Sequence, residues 1–245
     1  MEQRDDVIWW LPLGVRPYVH TWDLQKRLIL HRKRREIPDL VLTVEHPHVL
    51  TTGRGTRPEN LLNLQAPDGS GEVPLFNVER GGDVTYHGPG QLVAYFIFDL
   101  SGANRDLHRF LRLVEEVQIE LARAVGVEAL RREGNTGVWV GERKIGSVGI
   151  AVRNWISYHG FALNAATDLR FFQLINPCGF DAGVMTSLSR LRGKDVTVAD
   201  LTRRVPGAVE RTFARSVVRI AEKRLPPAPA SARGLDRGAN YLGKR

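Results

Sequence analysis

Cysteine is nearly absent: Cys178 is the only one in 245 residues, which excludes an internal disulfide framework and any cysteine-based zinc cluster. No apolar run approaches the roughly 18 residues of a membrane-spanning helix. The opening Met1-Glu2-Gln3-Arg4-Asp5-Asp6 lacks the basic start and apolar core of a secretory signal, so the expected address is the cytoplasm. Neither GxGxxG nor GxxxxGK[ST] can be laid on the Gly-rich stretch at residues 80–92, so nucleotide sites of those two kinds find no support. Internal repeats and long low-complexity linkers are also missing, and one domain over residues 1–225 is the simplest organisation. Beyond it, residues 226–245 form a Pro/Ala-rich basic tail with a net charge of +3, expected to be unstructured unless Tyr241 and Leu242 tether its end.

What is present is a core-forming composition, 42% hydrophobic and 25% charged. Lys and Arg exceed Asp and Glu by 35 to 27, a net charge of +8. That excess predicts attraction to nucleic acid, membrane headgroups or an acidic protein. No motif of a nucleic-acid module accompanies it, which sets nucleic acid aside as the partner.

Three stretches read as helices. Leu24, Leu28 and Leu30 lead into Arg32-Lys33-Arg34-Arg35, a basic run suited to a helix C-terminus and expected to be solvated or to dock a partner. After Asn104, residues Leu107, Phe110, Leu111, Val114, Val117, Leu121 and Val125 recur at spacings of three and four, and Gly126 supplies a stop. Residues 197–225 read as a third helical region, with Asp200 at a capping-box position and Pro206 dividing it. Strand patterns fall at 40–44, 92–98, 137–140, 145–152 and 157–163. The class is therefore α+β rather than alternating βαβ. A hairpin turn is expected at 141–143, with Lys144 just beyond it.

Arg80-Gly81-Gly82-Asp83-Val84-Thr85-Tyr86-His87-Gly88-Pro89-Gly90-Gln91-Leu92 packs four glycines, a proline and several polar side chains into one segment. Glycines let a ligand approach main-chain N–H groups, and Arg80, Thr85, Tyr86 and His87 suit a polar or acyl substrate; an ordinary Gly-rich turn is the plainer alternative. Cys178 sits in Asn176-Pro177-Cys178-Gly179-Phe180, a short loop with room beside the sulfur. It reads either as a nucleophile that needs a neighbouring cation to ionise or as a small buried apolar residue. His31, His46, His48, His87, His108 and His159 are too dispersed for spacing to select its activator. Glu45-His46-Pro47-His48 lacks a third convergent metal ligand, and Trp9, Trp10, Trp22, Trp139 and Trp155 read as core or rim packing.

Together these residues resemble the octanoyl-[acyl-carrier-protein]:protein N-octanoyltransferase family of lipoate biosynthesis. The resemblance runs over about residues 40–188 through five ordered motifs: Glu45-His46-Pro47, the segment from Arg80 to Leu92, Lys144-Ile145-Gly146-Ser147-Val148-Gly149, His159-Gly160-Phe161-Ala162-Leu163-Asn164, and Pro177-Cys178-Gly179. It implies the biotin and lipoate protein ligase fold, a mixed sheet flanked by helices with the site in a cleft. It also implies that Cys178 is the acyl-accepting nucleophile and Lys144 the proton-handling lysine. The segments Arg80 to His87, Ser147 to Gly149 and Gly160 to Ala162 are implied to line the acyl site.

Asp83, where Gln is commoner, and Phe161, where Leu is commoner, depart from the pattern and are expected to adjust the pocket only. No cofactor or metal is implied. The implied donor is octanoyl-acyl carrier protein; the implied acceptors are lipoyl domains of 2-oxoacid dehydrogenase E2 subunits and the glycine-cleavage H protein. Acidic carriers of that kind would account for the +8 charge. The alternatives are an ATP-dependent lipoate or biotin protein ligase of the same fold, in which Cys178 is dispensable, and a noncatalytic carrier-binding relative, against which the pair Cys178 and Lys144 argues.

Overall fold

The computed structural model describes residues 6–101 and 105–227. Its first half runs through β1 (Val7–Val15), α1 (Tyr18–Lys33), β2 (Asp39–Glu45), β3 (Val49–Thr52), β4 (Leu75–Asn77), β5 (Thr85–His87) and β6 (Gln91–Ile97). After α2 (Leu107–Arg123) come β7 (Leu130–Arg132), β8 (Asn135–Val140), β9 (Arg143–Arg153) and β10 (Ile156–Asn164). Short helices α3 (Leu188–Arg192), α4 (Val198–Thr202) and α5 (Val205–Phe213) precede β11 (Ser216–Arg219). Eight strands form one mixed sheet in the order β11-β1-β2-β6-β10-β9-β8-β7, and β4-β3-β5 form a smaller one. The α+β class, with helices flanking a mixed sheet, is as the sequence pattern implies.

The central strands β6 and β10 are buried at every position, polar residues such as Ser157, His159 and Asn164 included. One face of the large sheet packs under α2, whose stripe of Phe110, Val114, Val117 and Leu121 is buried with Phe96, Leu163 and Val209. The opposite face packs under α1 through Trp22, Leu24, Leu28 and Ile29. A third apolar cluster joins the small sheet to Phe171 and Phe172.

Helix α2 starts at Asp106, whose carboxylate accepts a bond from the Arg109 N–H at 2.8 Å. Asn104, expected to precede it, lies outside the described residues. Beyond its end, Gly126 takes φ +78°, the left-handed conformation that makes it a stop. The expected hairpin is present, with Val140 paired to Arg143 and Lys144 next along β9.

Two expectations are corrected. The third helical region ends at Phe213, because Ala214 turns left-handed at φ 53° and residues 216–219 become β11, pairing parallel with the edge of β1. Pairing to an open edge outweighed the local helical pattern. The capping box of Thr197 and Asp200 and the break at Pro206 are both present.

The basic run is not uniformly solvated either: Arg32 is 4% exposed and gives its Nε to Asp39 Oδ1 at 2.7 Å, with Asp99 at 3.8 Å. Its side chain ties α1 to the ends of β2 and β6. Strands β1, β3, β4 and β7 had no reading in the sequence, and β5 lies inside the segment read as a loop. From residue 228 on, the expected tail, including Tyr241 and Leu242, lies outside the described residues. No helix among the described residues is long and apolar enough to cross a membrane.

Candidate active site

A cavity of about 450 Å³ opens between the Gly-rich segment before β5, strands β9 and β10, the start of α2 and the turn at Pro177–Gly179. Segments far apart in sequence meet here by register. Ser147, Val148 and Gly149 of β9 pair directly with Ala162, Phe161 and Gly160 of β10, so two of the implied binding segments are one patch of antiparallel sheet. Each of those six residues lines the cavity.

The segment before and within β5 contributes Arg80, Gly81, Gly82, Asp83, Val84, Thr85 and His87. Tyr86 does not line it. Strand alternation turns Tyr86 the other way, where its hydroxyl bonds His48 Nδ1 at 2.7 Å and its ring stacks on Phe171 at 5.1 Å.

Lys144 is placed by its strand. It stands opposite Trp139 in β8, 2% exposed, with Nζ 5.3 Å from the indole centroid. Its carbonyl accepts from the Thr186 N–H at 2.9 Å, and a parallel bridge joins Lys144 to Met185, so the chain just after Pro177–Gly179 is stitched to it. Pro177 and Phe180, on either side of Cys178 and Gly179, line the same cavity. Beneath the lysine lies Gly137, at φ +119°; a Cβ there would stand 2.7 Å from Lys144 Cε and 2.5 Å from the Gly146 carbonyl oxygen. Only glycine leaves room for the lysine stem. The Gly137 N–H is held by the buried Glu115 of α2, whose Oε1 accepts it at 2.8 Å.

Arg80 is buried and spends all its donors inside the protein. Its Nη2 reaches the Thr51 carbonyl at 2.6 Å and Oγ1 at 2.9 Å, its Nε the same Oγ1 at 3.2 Å, and its Nη1 the Asp83 carbonyl at 2.5 Å and the Gly81 carbonyl at 3.2 Å. It shapes the wall rather than offering a free cation. Asp83 works the same way: its carboxylate accepts from the Val84 N–H at 2.7 Å, the Arg57 N–H at 3.4 Å and the Asn60 amide.

His87 faces a buried chain. Gln91 Nε2 donates to the Tyr86 carbonyl at 3.1 Å and to Asn164 Oδ1 at 3.0 Å, which turns its Oε1 to His87 Nδ1 at 2.8 Å. The proton therefore sits on Nδ1, and Nε2 keeps its lone pair. Asn164 Nδ2 continues the chain to the Thr186 carbonyl at 3.0 Å. Burial, aided by the neighbouring His46, lowers the His87 pKa to about 3, so the ring is neutral.

Three further residues close this side of the cavity without having been marked as site residues: Tyr18, Tyr95 and His159. Tyr18 stacks on His87 at 5.9 Å, and Tyr95 bonds His46 Nε2 at 2.8 Å. His159 adopts φ 57°, with its N–H bound to Gln25 Oε1 at 2.8 Å and its Nε2 3.6 Å from Glu79. Burial lowers its pKa as well. Burial alone would raise Glu79, but contacts with His159 and Trp22 override it and leave the carboxyl at about 2. Leu107 and Leu111 supply an apolar side from α2. His159 had a motif to mark it; Tyr18 and Tyr95 had none, because only α1 and β6 packing against β10 brings them here.

Residues 17–210 match the family described as lipoyl protein ligase A/B catalytic domain. The chain is 46% identical over 193 residues to an octanoyltransferase of Syntrophotalea carbinolica, covering 79% of this chain and 88% of that one. It is 45% identical to an octanoyltransferase of Syntrophobacter fumaroxidans over 84% of this chain and 90% of the other. Among solved structures, a lipoate-protein ligase A bound with ATP superposes with a TM-score of 0.72 at 15% identity, over 94% of this chain and 93% of that one. A bi-partite lipoate protein ligase from Thermoplasma acidophilum gives 0.71 at 18% over 93% and 91%. At such identities the structures speak for the fold, and the sequences for the branch. The chain belongs to the lipoyl protein ligase A/B catalytic-domain family and, within it, to the octanoyltransferases.

Proposed function

We propose that this protein moves an octanoyl group from octanoyl-acyl carrier protein to a lysine amine of a lipoyl domain, through a thioester on Cys178 with Lys144 handling the protons. The observation that carries the reading is the buried Lys144 in the wall of a cavity whose adjoining wall is Pro177 and Phe180, the residues bracketing Cys178 and Gly179.

A lysine ammonium beside a thiol favours the thiolate. The Cys178 thiolate attacks the octanoyl carbonyl carbon, the carbon–sulfur bond to the pantetheine arm breaks, and the leaving thiolate takes a proton from the Lys144 ammonium. Octanoyl-Cys178 remains, with neutral Lys144 beside it. In the second half the acceptor amine attacks the same carbon, an amide forms, Cys178 leaves as thiolate, and Lys144 takes the proton that the nitrogen sheds. Main-chain N–H groups of the Gly-rich wall or of the Pro177–Gly179 turn are suited to the oxyanion of each tetrahedral intermediate.

The thioester bond is exchanged and then spent on the amide, so the scheme consumes no ATP. The acceptors we assign are the lipoyl domains of 2-oxoacid dehydrogenase E2 subunits and the glycine-cleavage H protein, and the place is the cytoplasm. Arg80 to His87, Ser147 to Gly149 and Gly160 to Ala162 are assigned to the acyl site, Tyr86 and Arg80 supporting the wall from behind.

Intact-protein mass spectrometry after mixing with octanoyl-acyl carrier protein, without ATP, tests the reading. Wild type should gain one octanoyl group, Cys178→Ala none, and an apo lipoyl domain should discharge it. Normal transfer by Cys178→Ala, or turnover of free octanoate only with ATP, would make the protein a ligase instead.

A further inference from the structure

Residues 53–57 make a tight turn fastened to the cavity wall. The Gly53 N–H is held by Thr56 Oγ1 at 2.8 Å, the Arg54 N–H by the Arg80 carbonyl at 3.0 Å, the Gly55 N–H by the Gly82 carbonyl at 3.0 Å, and the Arg57 N–H by Asp83 Oδ1 at 3.4 Å. The approach is close enough that a Cβ on Gly53 would stand 2.5 Å from the Gly82 carbonyl oxygen. Arg80, Gly82 and Asp83 line the cavity, so this turn abuts its wall. On that rigid base the side chains of Arg54 and Arg57 are exposed. Arg153, also exposed, ends β9 three residues beyond Ile150, whose carbonyl accepts from the Gly81 N–H at 2.9 Å. Among the described residues none of the three arginines forms an ion pair with a carboxylate, in contrast to Arg32, Arg112, Arg131 and Arg215. Among the described residues, the guanidinium that lines the cavity, that of Arg80, has its donors turned inward.

We propose that Arg54 and Arg57, with Arg153 beside them, form an anion site on the cavity rim that takes the phosphate of the acyl donor's phosphopantetheine arm. The proposal rests on the acyl-transfer reading above. The arm carries its thioester at one end and its phosphodiester at the other, so a thioester delivered to Lys144 leaves the phosphate at the mouth. Guanidinium groups meet phosphate oxygens with paired N–H donors, and a fixed backbone confines the ordering cost to the side chains. The phosphate thereby sets where along the cavity the carbonyl stops.

The test compares S-octanoyl-pantetheine, which lacks the phosphate, with S-octanoyl-4′-phosphopantetheine and with octanoyl-acyl carrier protein, measuring acylation of Cys178 at subsaturating donor. In the double variant Arg54→Gln, Arg57→Gln the rate should fall roughly tenfold with both phosphorylated donors and stay at the wild-type value with the unphosphorylated one. Each single variant should show part of the loss, and Arg54→Lys should restore part of it. Salt should erase the wild-type preference for the phosphorylated small donor. An equal loss with all three donors would make the arginines structural and overturn the proposal. A loss confined to the carrier protein would assign them to its surface instead and would also overturn it. If wild type takes an acyl group from none of the donors, the acyl-transfer reading itself fails and takes this site with it.

Discussion

The position of Lys144, the proposed proton carrier, depends on a neighbour that has no side chain. Gly137 vacates the space the lysine stem fills, and Glu115 holds that glycine at φ +119° through its N–H. Gly137→Ala should cost about 1–3 kcal/mol of stability from backbone strain and displace the ammonium, lowering acylation of Cys178 more than the stability change explains. Denaturant unfolding and single-turnover acylation measured together check this. Lys144→Arg keeps a cation but removes the proposed acid and base: the acyl-enzyme should still form, though more slowly, while its discharge to an amine should slow by roughly a hundredfold or more. Time-resolved mass spectrometry separates the two halves.

The buried imidazoles carry a pH signature. His46 and His87 have folded pKa values of about 4 and about 3, both lowered first by burial, below the ordinary 6.5. A His whose folded pKa is depressed stabilises the fold above its unfolded pKa, and that stability is lost as pH falls from there toward the folded value. Unfolding free energy should therefore hold near about pH 8 and drop between about pH 6.5 and about pH 4. His46→Asn should flatten part of the slope. Equal slopes in the two proteins, by urea titration across that range, would remove His46 from the account.

At the scale of elements, the ends of α1, β2, β6 and β11 are tied by one buried carboxylate. Asp39 accepts from Arg32 Nε at 2.7 Å, from Arg215 Nη1 at 2.6 Å and from the Asp99 N–H at 2.9 Å. Asp39→Ala leaves two guanidinium groups without their shared partner and should cost about 3–5 kcal/mol. By contrast Arg34→Ala, whose exposed side chain reaches Glu36 at 3.9 Å, should cost under about 0.5 kcal/mol. Denaturation midpoints of the two variants give the comparison. Arg32 looked like its neighbours in the basic run because charge patterning records only the helix end, not the carboxylates that the sheet carries to it. For the same reason β11 read as helix: its strand character is supplied by the edge of β1, some two hundred residues away along the chain.

For the molecule as a whole, the net charge of +8 bears on the proposed encounter with an acidic carrier rather than on the fold. Acylation by the acidic carrier protein should slow as ionic strength rises from about 0.05 to about 0.5 M, whereas acylation by S-octanoyl-pantetheine should stay level. Stopped-quench rates at low donor concentration check it; a salt-insensitive carrier reaction would leave the charge without a part in docking.

Local patterns in the chain were enough for the elements whose signals are local: α2 with its apolar stripe, the hairpin that carries Lys144, and strands β2, β6, β8, β9 and β10. Ordered motifs were enough for the family. They were also enough to nominate residues that line one cavity, from Arg80 to Thr85 with His87, and from Gly160 to Ala162, because each motif is a contiguous stretch. Direction and distance were decided in three dimensions. Tyr86 sits inside the richest motif, yet alternation along β5 sends it into the small core. Tyr18 and Tyr95 have no motif, yet packing of α1 and β6 puts them at the cavity, and Arg80 turns its donors inward because Thr51 of the neighbouring strand lies there to receive them. Side-chain identity limits what chemistry a chain can perform; the pairing of strands and the packing of helices against them choose which side chains meet.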